Sequence, residues 1–213
     1  ILLILAEDFV FYWLHRMEHS IRLFWAVHVT HHSSAQFNFT VGFRSSVFQP
    51  LYRFVFFIPL AFLGFDAMDI VFTYSLTQIW GILVHTKLIN KIGWLEYVLV
   101  TPSHHRVHHA SNPKYLDKNM GMFLILWDKL FGTFQPELTT AEYQELRYGL
   151  TKNIDEPNAI NLITHEWKNI AKDIRKPVSF KTKLKYLFAP PGWSHDGTTL
   201  TSEQMRENER MKE

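Results

Sequence analysis

Ten of the twelve histidines lie between His15 and His109, most of them at helical spacings. In "HRMEH", His15 and His19 are four residues apart, which on a helix places both rings on one face, one turn apart. "HVTHH" contributes His28, His31 and His32, and "HRVHH" repeats that spacing with His105, His108 and His109. Eight imidazoles gathered this way exceed what one tetrahedral ion can use, so two metal ions are the natural count. Imidazole suits iron, zinc, copper and nickel, while calcium and magnesium prefer oxygen ligands. Asp8, Tyr12, His15 and His19 continue one helical face, and Asp8 is a candidate for the acid that orients a metal-bound ring.

The surrounding composition narrows the setting. The chain has 213 residues, enough for one domain with an appendage, and its formal charge of +2 gives no argument for a nucleic-acid partner. It has no cysteine, which excludes disulfides, thiolate metal sites and a cysteine nucleophile. Val47 to Phe65 carries one charge, Arg53, and approaches the ~20 apolar residues that cross a bilayer. After Asp66 and Asp69, Ile70 to Val84 carries none. In tandem, these stretches predict a membrane hairpin that returns the second and third clusters to the same side. Arg16, Arg22, Arg44, Lys87, Lys91 and Arg106 sit with the clusters, which predicts that they face the cytosol.

The opening "ILLILAEDFVFYWLHR" reads as the lower part of a membrane helix, with further helices expected upstream. From Gln135 onward the chain is charged and proline-containing. There Ile163, Trp167, Ile170 and Ile174 form one helical face suited to packing on the main body. The expected fold is all-α: an integral membrane helical bundle with a cytosolic, histidine-rich di-metal cap.

The stretches "DFVFYWLHRMEH", "WAVHVTHHSS", "TPSHHRVHHASNPKYLDKN" and "LWDKLFGTF" resemble the fatty acid hydroxylase/sterol desaturase family of membrane-bound di-iron oxygenases. Within it they are most similar to the alkylglycerol monooxygenase subgroup and its bacterial relatives. The resemblance implies two irons held by His15, His19, His28, His31, His32, His105, His108 and His109, with His85 in "LVHTK" as a further ligand. It implies a catalytic domain over 1–134 and a polar extension over 135–213. It further implies an oxidoreductase that uses O2 to hydroxylate or desaturate a C–H position of a lipid.

Around the ligands the expectations are more modest. His104 is expected beside the ligands, and His165 and His195 in ordinary structural roles. Asn112, Asp117 and Asn119 are expected to form turns, with bonding to the ligand rings a lesser alternative. Trp127 and Asp128 are expected to pack and end a helix. Two departures leave the electron donor, pterin or protein, open. Met120 stands where the family often has an aromatic, and Ser20 where the subgroup has an acid. No nucleotide fingerprint or haem-attachment motif is present, so a separate reductase or carrier is expected. The rival readings are a two-zinc hydrolase, which would recruit bridging carboxylates, and a histidine-rich metal transporter.

Overall fold

In the computed structural model, which describes residues 1–154 and 158–212, α1 (Leu2–Ser20) buries Glu7, Asp8, Phe11, Tyr12, Leu14, His15, Glu18 and His19. These positions recur every three or four residues and so form one face. Its outward side carries Leu2, Phe9 and Trp13. A helix facing water shows the opposite pattern, because burying a charge costs far more than burying a ring. Ile21, in an extended conformation, ends α1, and α2 (Arg22–His32) folds back along it. Trp25 thereby meets His19, and His28 meets His15.

The expected first arm of the hairpin is broken. It consists of α4 (Pro50–Arg53), a 3-10 turn at Phe54–Phe57 and α5 (Ile58–Phe62), preceded by the single turn α3 (Phe39–Gly42). Pro50 and Pro59 each open a helix, where a missing N–H costs nothing. Inside one long helix each would remove a hydrogen bond and clash with the preceding turn. The second arm is one helix, α6 (Ala67–Leu83), capped by the Asp66 side chain. Among the described residues no helix is long and apolar enough to cross a membrane.

The remaining helices are α7 (Pro102–His108), α8 (Leu126–Leu130), α9 (Ala159–Ile174), α10 (Phe180–Phe188) and α11 (Ser202–Arg210). The described residues contain no strand, only isolated bridges between Leu99 and Leu124 and between Ala110 and Tyr148. Phe11 and Leu14 of α1 pack with Phe57, Leu60 and Ile70 in the main apolar core. Each such side chain contributes about 1.5–3 kcal/mol by leaving water.

The polar extension grips the histidine helices. Arg22, at the start of α2, reaches Glu166 at 2.6 Å and Asp173 at 2.7 Å on α9, and its amide donates to the Ala189 carbonyl after α10. Val107, Ala110 and Tyr115 pack with Tyr143 below α7.

Candidate metal centre

Nine imidazoles converge in two groups. His15, His19, His28, His32 and His108 offer ring nitrogens within 4.8 Å of one another, and His31, His85, His105 and His109 do the same. The two helices with H-x-x-H-H spacing serve both groups. On α2, His28 and His32 are one turn apart and face the first group, while His31 turns to the second. On α7 and its end, His105 and His109 face the second group and His108 the first. The groups adjoin: the rings of His32 and His109 stack at 4.4 Å.

The hydrogen bonds fix which ring nitrogen is bare. The Nδ1 of His15 donates to the Met120 carbonyl, His31 to Arg44, His85 to Gly81 and His108 to Lys118, at 2.6–3.0 Å. His19 Nδ1 faces Asp117 Oδ1 at 3.2 Å, and His28 Nδ1 lies 3.2 Å from Glu18 Oε2. A neutral imidazole has one N–H, so commitment of Nδ1 leaves Nε2 as an unprotonated lone pair. Yet the Nε2 atoms of His85 and His31, whose Nδ1 atoms are both so committed, lie 3.3 Å apart. Two lone pairs that close repel unless a cation sits between them. The spacing matches the edges of a coordination shell with bonds of about 2.1 Å, roughly 3.0–3.4 Å. His19 Nε2 and His108 Nε2 are buried without any protein partner.

Burial also holds these rings neutral, the form that binds metal. Desolvation lowers the pKa of His28, His31, His32, His105, His108 and His109 well below the ordinary value, and their mutual proximity adds to it. His85 falls to about 4 for the same first reason. The donor set therefore fits two borderline ions. Both groups are purely imidazole: among the described residues no carboxylate joins them.

The supporting residues differ from those expected. Asp8 does not touch an imidazole: it accepts from the amides of Phe123 and Leu124 and from Trp127 Nε1, each at 3.0 Å. The helical face that suggested Asp8 is real, but its far end reaches the loop after the third cluster. The acids beside rings are Asp117 at His19 and Glu18 at His28. Glu18 is held by Tyr52 at 2.5 Å and Gln49 at 3.4 Å.

Asp117 and Asn119 both adopt positive φ, 54°. This conformation is uncommon outside glycine, and it bends the loop so that Asp117, the Lys118 carbonyl and the Met120 carbonyl each meet a different ring of the first group. Asn119 locks the bend by donating to the carbonyls of His104 and Gln135. Asp128 holds the next turn through the amides of Met120 and Gly121, and Asn112 anchors Glu145 and Arg147. His104 lies outside both groups, where it caps α7 with Thr101. His165 bonds its own helix, and His195 bonds Tyr186.

Access is unequal. A cavity of about 780 Å³ reaches His19, His32, His108 and His109 between α2 and the polar extension, walled by Trp25, Asp117, Lys176 and Trp193. Phe37, stacked between His85 and Tyr148, covers the His85 side of the second group.

The fatty acid hydroxylase family model matches residues 1–133. The chain is 40% identical over 192 residues to alkylglycerol monooxygenase of Xenopus tropicalis, covering 89% of this chain and 41% of that protein. The human protein of the same name is also 40% identical, over 191 residues, with the same coverage. Ornithine lipid hydroxylase OlsE of Rhizobium tropici is 31% identical over 133 residues, 62% of this chain and 40% of that protein. The chain thus spans about two fifths of the length of these curated relatives. No solved structure matches. With its family match across both halves of the histidine cluster, this chain belongs to the fatty acid hydroxylase family.

Proposed function

We propose that this chain carries the metal centre of a membrane-bound, non-haem di-iron oxidoreductase that uses O2 to hydroxylate or desaturate a C–H position of a lipid. The observation that carries the proposal is the pair of adjoining all-imidazole groups built from shared helices. Relatives named monooxygenase, lipid hydroxylase and sterol desaturase support the reaction class. His15, His19, His28, His32 and His108 would hold one ion, and His31, His85, His105 and His109 the other.

Bound iron would supply the redox chemistry that activates dioxygen. The chain's part is to hold and orient. The Nδ1 bonds of His15, His19, His31, His85 and His108 fix those rings' tautomer and aim, and the surrounding core would keep bulk water from most of the ligands. Electrons would come from a separate reductase or carrier. Residues 1–134 are proposed as the catalytic unit and 135–213 as its polar cover.

Membrane attachment is supported by the outward faces. Leu51, Phe54, Phe62, Phe72, Leu76 and Ile79 are exposed, while Thr73 and Thr77 of the same α6 are buried. A soluble surface rarely carries so continuous an apolar area. The arginines and lysines beside the histidines support a cytosolic metal centre.

The test is metal analysis with Mössbauer spectroscopy, followed by incubation with a whole-lipid extract under 18O2. Two irons per chain and label in a lipid product mean hydroxylation; loss of two hydrogens without label means desaturation. A fully active protein without iron would overturn the reading and favour a zinc hydrolase.

A further inference from the structure

Between Asp173 and Asp196 the sequence has no acidic residue, but it has Arg175, Lys176, Lys181, Lys183 and Lys185. Within this stretch lies α10, whose Phe180, Leu184 and Phe188 are 75%, 39% and 54% exposed. At about 100° per residue these three share about 80° of arc. Lys183 borders that stripe on one side and Lys181 and Lys185 on the other, while buried Tyr186 falls opposite. Tyr186 is held by His195 at 2.6 Å, which fixes the helix's rotation and keeps the apolar stripe outward.

We infer that α10 lies in the plane of an anionic lipid surface, its stripe among the acyl chains and its lysines on the headgroup phosphates or carboxylates. This rests on the reading of the chain as membrane-bound and extends it to a second, composition-sensitive contact. A narrow apolar stripe flanked by long basic side chains is the pattern of an interfacial helix. Three partly exposed side chains offer far less than the roughly 800 Å² per partner of a stable protein interface. α10 is joined through α2 and α9 to the segments that carry the exposed apolar residues from Leu51 to Ile79, the apolar belt. Trp167 of α9 meets Phe48 at 5.8 Å, Phe24 of α2 meets Tyr52 at 5.1 Å, and Arg22 ties α2 to the end of α10.

The absence of cysteine from these 213 residues permits single-site labelling of this chain. Leu184→Cys on α10 and Leu76→Cys on the belt are each spin-labelled and reconstituted in phosphatidylcholine with or without phosphatidylserine. Accessibility to oxygen and to a nickel chelate reads whether each label is in lipid or water. The expected result is a label at 76 in lipid in both compositions. The label at 184 should move from chelate-accessible to oxygen-accessible only with phosphatidylserine. That shift should disappear in Lys181→Gln/Lys183→Gln/Lys185→Gln, whose headgroup affinity falls by about 10- to 100-fold. A label at 184 in water, or shielded from both reagents as by a protein partner, overturns the inference whatever the label at 76 shows. A label at 76 in water overturns the belt's immersion, and the 184 label then decides the α10 contact independently.

Discussion

At the scale of single residues, the centre depends on what stands behind each ring. Asp117 is 98 positions from His19, and in the sequence it reads first as a polar turn residue, with a bond to a histidine ring the lesser alternative. Its role follows from the positive φ that swings it inward, a feature spacing does not reveal. Asp117→Asn keeps the shape but removes the charge that polarises the His19 ring. Affinity for the ion of the five-histidine group should drop about 10–100-fold, measured by chelator competition, with a smaller fall in the four-histidine group. Asp8→Asn makes the contrast: it should cost about 1–3 kcal/mol of folding stability by disturbing a buried hydrogen-bond clamp, and leave metal affinity nearly unaltered. The metal-free chain also has a pH signature. Buried His104 has a folded pKa lowered to about 4, first by desolvation, so the unfolded chain binds its proton more readily. Stability is fully present above the unfolded value of about 6.5 and is lost as pH falls toward 4, by up to about 3 kcal/mol for this group. Thermal melts of apoprotein across that window check the sign, and the buried ligand rings should steepen the loss.

At the scale of elements, the histidine helices were readable because their spacing of three and four matches the helical turn. The nine rings named from sequence and resemblance are the nine in the two groups. Composition reads Val47 to Phe65 as one apolar run, whereas Pro50 and Pro59 divide it into short helices. The close approach of α3 to α6 was invisible too. A Cβ on Gly42 would lie 3.0 Å from Ile82 Cα and 3.1 Å from His85 Nδ1. Gly42→Val should therefore cost about 1–3 kcal/mol by overpacking and displace His85. Metal content should fall in the four-histidine group first, since the five-histidine group has no ligand on that turn.

At the scale of the whole molecule, the helices shared by the two groups should couple their loading. α2 and α7 each carry rings of both, so an ion that fixes His28 and His32 also fixes the backbone presenting His31, and one that fixes His108 presets His109. The extension adds to this coupling, because Arg22 pins the start of α2 to α9 and Arg206 of α11 donates to the Leu116 carbonyl beside Asp117. Binding of the first ion thus removes part of the ordering cost of the second, which is positive cooperativity without contact between the ions. Titration of apoprotein with ferrous ion should reach two equivalents in one steep transition. At a free concentration of about 100 times the dissociation constant, each site should stabilise the fold by about 2.7 kcal/mol, or roughly 5–10 °C for a chain of this size. His31→Ala and His108→Ala provide the decisive pair, one ligand from each group. Coupled sites would drop the content of either variant well below one ion per chain under conditions that saturate the parent. Independent sites would leave each variant with one full ion, which would mean that the shared helices transmit nothing between the groups.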